Sequence, residues 1–190
     1  MVTLLTGLIT IIVIIFVLVF VAIYNALIVL RNNINKAWAD IDVLLEKRHD
    51  QLGKLLDVVR GYTKYEKTIM TNITELRTSW ISVQNGSSQA KMGTSNQISQ
   101  ALKSIFAVAE NYPDLKANNS FVQLQNSINE IETQLADRRE FYNDSVNQFN
   151  IRIKQIPYNF FAGMLGYQAM QMFQVPEEAK KDVKMDFGNI

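Results

Sequence analysis

The chain has 190 residues, room for one domain plus an attachment, and 19 Lys and Arg against 18 Asp and Glu leave it almost neutral. No basic excess exists to hold a phosphate backbone, so nucleic acid is not an expected partner. Cysteine is absent, which excludes disulfides, thiolate zinc sites and cysteine nucleophiles, and one histidine cannot supply a His-rich metal site.

Residues 1–30 contain no Asp, Glu, Lys or Arg, and the run from Leu8 to Ile23 is almost wholly aliphatic or aromatic. About 20 such residues in a helix span roughly 30 Å of hydrocarbon, and lipid cannot hydrogen-bond an irregular backbone. Residues 1–30 are therefore expected to form an N-terminal transmembrane anchor. Three features oppose a cleaved signal peptide: no Lys or Arg precedes the run, the run is long, and no clean small-x-small cleavage site follows. Arg31, Lys36, Lys47 and Arg48 follow it. The positive-inside rule then predicts a single-pass protein of the cell membrane with its N-terminus outside and the remainder in the cytoplasm.

Residues 31–173 carry a seven-residue beat. Ile34, Ile41, Arg48 and Leu55 form one row and Trp38, Leu45, Leu52 and Val59 the second, widened by Leu44 and Leu56. This is the 3–4 spacing of a helix face packed on other helices. Tyr62, Ile69, Leu76 and Val83 continue the beat with Ile73 and Trp80. The phase does not slip across Gly61, so spacing permits either one helix through Val83 or a turn at Gly61. Residues 84–97 are polar, Gly/Ser-rich and without periodicity, and read as a loop. Ile98, Leu102, Ile105, Val108 or Ala109, and Tyr112 mark the next helix, which Pro113 ends.

The last long helix is predicted to start at Ser120 as N-cap. Phe121, Ile128, Leu135, Tyr142, Phe149 and Ile156 recur every seven residues beside Leu124, Ile131, Arg138, Ser145 and Arg152, until Pro157 stops it. Residues 174–190 read as a charged flexible tail. No strand pattern is present. The expected fold is all-α: an N-terminal transmembrane helix followed by an elongated antiparallel up-and-down four-helix bundle. Arg48 and Arg138 sit on apolar seams. Either their stems pack while their heads reach water, or each is a paired, partly buried charge that fixes register.

Several phrases then resemble the LemA family. They are Tyr24-Asn25-Ala26-Leu27-Ile28-Val29-Leu30-Arg31-Asn32, Ala37-Trp38-Ala39-Asp40-Ile41-Asp42-Val43, and Ala107 to Asn118 with its Glu110-Asn111-Tyr112-Pro113 core. Leu124-Gln125, Ile131-Glu132, Arg138-Arg139, Tyr142-Asn143-Asp144, Pro157, Ala162 and Gly166-Tyr167 continue the likeness, which covers nearly the whole chain. One departure stands out. Family members follow the Arg-x-Asp of the first helix with Leu-Ile-Pro-Asn-Leu, whereas Arg48-His49-Asp50 here runs into Gln51-Leu52-Gly53-Lys54-Leu55. The resemblance implies a single-span membrane protein with a four-helix bundle, favours a turn near Gly61, and implies no established enzyme activity.

Motifs that carry chemistry are scarce. Glu46 and His49 make one Glu-x-x-His pair, but di-iron bundles need two, and there is no second histidine. No Gly-x-Ser-x-Gly elbow, Walker loop or Gly-x-Gly-x-x-Gly occurs. Asp40 and Asp42 are two apart and point to different sides of a helix. Trp38, Trp80 and Tyr142 lie on the packing stripes and read as core. No cofactor and no catalytic residue are expected.

One stretch is distinctive. From Gln155 to Pro176 there is no charged residue. Phe160, Phe161, Met164, Leu165, Tyr167, Met170 and Phe173 form either a short helix folded onto the bundle or an adhesive surface for membrane, a neighbouring subunit or a protein partner. The expected function is a membrane-anchored, non-enzymatic scaffold or interaction protein at the cytoplasmic face, self-associating or holding an unidentified protein partner. The alternative is an outward-facing helical sensor or envelope-binding module.

Overall fold

The computed structural model describes residues 2–62 and 67–174. The tail expected at 174–190 lies outside the described residues beyond Gln174, and so do residues 63–66, which follow Gly61. All regular structure among the described residues is helical. The helices are α1 (Val2–Tyr62), α2 (Lys67–Val83), α3 (Ser88–Ala109), the short α4 (Pro113–Lys116), α5 (Asn119–Arg152) and α6 (Tyr158–Met164). They group into two compact units, residues 2–44 with 134–172 and residues 45–133 with 173–174.

The second unit is a set of four antiparallel helical stretches, and cross-helix contacts give its order. Gln84 Nε2 of α2 donates to Glu46 Oε1 of α1 at 3.1 Å, and the Arg77 guanidinium lies beside Gly53. Residue numbers thus rise on one helix as they fall on the other, and no single helix runs through Val83. Lys91 of α3 sits 5.9 Å from the Trp80 ring of α2, and Phe106 of α3 packs edge-on against Phe121 of α5. The core is formed by the rows expected from the beat: Leu45, Leu52, Leu55, Leu56 and Val59 from α1, Ile69, Ile73, Leu76 and Trp80 from α2, and Phe121, Ile128 and Ile131 from α5 are all buried.

Four boundaries differ from expectation, one being that α3 stops at Ala109, short of Tyr112, while Pro113 opens α4. The loop placed at 84–97 shrinks to a turn, because α3 already begins at Ser88, capped by Ser87, whose side chain accepts from the Ala90 N–H at 3.3 Å. Buried Lys91, Ser95, Ile98, Leu102, Ile105 and Ala109 follow one another at intervals of four and three. The stripe continues through the supposed loop with polar residues at two of its positions, which hides the helix from a reading of apolar periodicity. Ala109 is the inward member of its pair, since Val108 is exposed. Similarly, α5 is capped by Asn118, whose Oδ1 accepts from the Phe121 N–H at 2.9 Å, and not by Ser120. Finally, α5 ends at Arg152, leaving Ile156 off its stripe and fully accessible.

Arg48 explains the polar positions of α3. Its side chain is only 1% exposed. Nη1 donates to Glu132 Oε1 at 2.7 Å and to Ser99 Oγ at 2.9 Å, while Nη2 donates to Ser95 Oγ at 2.8 Å. The Ser99 hydroxyl in turn donates to Glu132 Oε2 at 2.6 Å. Burial pushes the Arg48 guanidinium below its usual pKa, and Glu132 opposes that by charge and hydrogen bond; an arginine remains cationic under such pressure. Of the two readings for a seam arginine, Arg48 takes the paired and buried one.

In the first unit α1 and α5 are again antiparallel: the Trp38 and Tyr142 rings meet edge to face at 5.8 Å, and Arg138 Nη1 lies 3.9 Å from Asp40 Oδ2. Arg138 takes the other reading, with its side chain 53% exposed. An exposed pair contributes at most about 1 kcal/mol, so Arg138→Met is expected to leave the thermal midpoint of the detergent-solubilised chain unchanged or slightly raised, as circular dichroism would record. A large drop, rescued by also removing the Asp40 carboxylate, would instead mark a pair that holds register.

Candidate membrane-facing site

Within the first unit, the apolar stretch of α1 is bare. The large apolar side chains from Leu8 to Leu18 are each more than half exposed, and the most apolar 18-residue window of α1 has none of its residues buried. A helix of this length and composition is able to cross a membrane. The stretch runs on without a break into the amphipathic part of α1, where Ile23, Leu27, Ile34, Ala37 and Ile41 become buried.

The charge-free segment after α5 packs back on this stretch. Beyond Arg152 the chain reverses through Gln155 and Pro157 into α6. The Asn159 N–H donates to the Gln155 carbonyl at 2.8 Å, and the Phe160 N–H to Asn159 Oδ1 at 2.8 Å. Gly166, at φ +72°, closes the other end. Its N–H donates to the Gly163 carbonyl at 3.2 Å and the Tyr167 N–H to the Ala162 carbonyl at 2.9 Å. This paired C-terminal closure needs a left-handed residue, a conformation in which a Cβ is unfavourable. An extended return then runs to Gln174. Asn150 holds it at two points: Nδ2 donates to the Met170 carbonyl at 2.9 Å, and Oδ1 accepts from the Met170 N–H at 2.8 Å. The Tyr142 hydroxyl donates to the Gln171 carbonyl at 3.3 Å, and burial raises the Tyr142 pKa.

The structure divides the residues named from the sequence. Phe161 is buried, its ring centroid 5.5 Å from Phe20 and 6.2 Å from Phe16. Phe173 is also buried. The reversal turns Phe161 onto α1, while Phe173 is buried in the extended return. Phe160 and Met164 face outward, 70% and 62% exposed. Leu165, Tyr167 and Met170 are half-buried. Tyr167 packs edge-on against Phe149 and lies 5.5 Å under the Arg31 guanidinium, and Tyr158 lies 4.9 Å under that of Arg152. Sequence reasoning missed Phe16 and Phe20 as docking partners, Asn150 as the clamp and the two Arg–Tyr pairs. Only Arg152 and Tyr158 had a visible signal, standing six residues apart at the head of the charge-free run; Arg31 and Tyr167 meet only through folding.

No group of three or more His, Asp or Glu side chains able to hold a metal ion occurs among the described residues. Glu46, half of the lone Glu-x-x-His pair, accepts from Gln84.

Comparison with known proteins agrees with this picture of a membrane-associated helical protein. The family model described as LemA family matches residues 37–187. Magnetosome protein MamQ 2 and magnetosome protein MamQ 1 of Paramagnetospirillum magneticum are each 22% identical over 175 residues, covering 80% of this chain and 64% of theirs. The chain thus spans under two thirds of the length of these relatives. Protein LemA of Metamycoplasma hominis is 30% identical over 161 residues, covering 84% of this chain and 72% of that protein.

Proposed function

Since the chain belongs to the LemA family, we propose that it is a membrane-anchored, non-enzymatic interaction protein whose helical part stands at the cytoplasmic face. The bare apolar window of α1 carries this reading. Burying about 20 such residues in lipid is strongly favourable, and leaving them in water is not. Arg31, Lys36, Lys47 and Arg48 after the window support the cytoplasmic placement. Anchoring concentrates copies in two dimensions, which supports self-association or retention of a protein partner near the bilayer.

The test is protease added to intact cells that express the full chain, followed by crosslinking in a parallel sample. The helical part is expected to survive until the cells are opened, and crosslinking is expected to recover the chain bound to itself or to a defined protein. Digestion in intact cells would overturn the cytoplasmic placement in favour of an outward-facing sensor or envelope-binding module. Recovery of monomer alone would overturn the interaction role.

A further inference from the structure

We propose that α6 and the reversal before it form a second lipid-embedded element, sunk into one leaflet beside the anchor without crossing the bilayer. The proposal rests on the anchor reading and adds a depth to it. A helical span takes about 20 residues, and the unbroken apolar run Leu8–Ile23 makes up most of it. That run contains Phe16 and Phe20, and Phe161 packs on both rings. Phe161 thus lies at the depth of hydrocarbon.

Three independent features fit that depth. First, the segment turns large apolar side chains outward: Ile156, just before α6, and Phe160 and Met164 on it are 87%, 70% and 62% exposed, with uncharged Gln155 and Asn159 beside them, and no charge occurs from Gln155 to Pro176. Second, several backbone donors of the reversal and of the α6 end are met by local acceptors, which suits hydrocarbon. Pro157 has no N–H to place, Asn159 and Phe160 donate locally, and the Gly166 and Tyr167 N–H groups close the C-terminal end. Third, the charges nearest the segment stand at its borders. Arg152 lies over Tyr158, Arg31 over Tyr167, and Lys154 is exposed. Tyrosine rings with Arg and Lys that reach for headgroups are the usual furniture of a membrane interface.

The chain has no cysteine, so single nitroxide labels can be placed cleanly. Phe160→Cys and Met164→Cys report on α6, Val13→Cys on the anchor and Ser82→Cys on water. The full chain, reconstituted in phosphatidylcholine vesicles, is examined for label collision with oxygen, which partitions into lipid, and with a nickel chelate, which stays in water. Two positions on α6 guard against one variant misfolding, with the helical circular dichroism spectrum checked for each. The expected result is that labels at 160 and 164 favour oxygen, as the label at 13 does, while the label at 82 favours nickel. If 13 favours oxygen but 160 and 164 favour nickel, or are shielded from both reagents by a protein neighbour, the embedded element is refuted and the anchor stands. If 13 itself favours nickel, the anchor reading falls and takes this proposal with it.

Discussion

Replacing Glu132 with alanine will destabilise the fold by about 3 kcal/mol, because removing one partner of a buried pair strands the other charge. Arg48 would keep two serine hydroxyls but no anion, at a site with 1% exposure. Arg48→Met should cost far less. Its side chain fills much of the same volume, and Glu132, 27% exposed, can turn to water. The double variant Arg48→Met with Glu132→Gln should recover most of the loss, since an apolar replacement of a buried pair is often neutral. Urea unfolding of the detergent-solubilised chain would measure all three. Equal losses for the two single variants would show that the network acts through attraction alone and not through the asymmetry of burial.

Trp80→Ala should cost about 4 kcal/mol, the usual range for emptying a large aromatic site. Trp80 is 1% exposed, and its Nε1 has no hydrogen-bond partner. The loss is therefore one of packing, and Trp80→Phe should retain more than half of it. Lys91, which lies over the ring, would lose the apolar cover for its stem. The midpoint of unfolding should fall with little change in slope, the signature of altered stability at constant exposed area. A loss under about 1 kcal/mol would mean that the helices close over the vacancy, at odds with a well-packed interior.

These two sites show why the sequence was legible in most places and opaque in one. Apolar rows at seven-residue spacing exposed α1, α2 and α5, because each buries a continuous stripe. The N-terminal part of α3 failed the same test. Its inward positions at Lys91 and Ser95 answer to Trp80 and Arg48, 11 and 47 positions away on other helices, which local spacing does not connect to them. Arg48 on a seam was recognised as unusual, yet its partners Ser95, Ser99 and Glu132 come from two other helices and emerge only once those helices pack. The adhesive segment was legible as a charge-free stretch. The split between inward Phe161 and outward Phe160 was not, since it depends on where the chain reverses. The N-cap expected at Ser120 lay two residues late, since Asn118 and Ser120 are both residue types favoured there.

The Asn150 clamp has a consequence for how α6 meets its surroundings. Its entry follows directly from α5, and its exit is fastened at Met170 and Gln171. Amphipathic elements that come and go from a surface on demand need a loose end to swing on. This one is a closed loop tied at its base, so its position against α1 is settled when the chain folds, and it resembles a fixed keel more than a retractable hook.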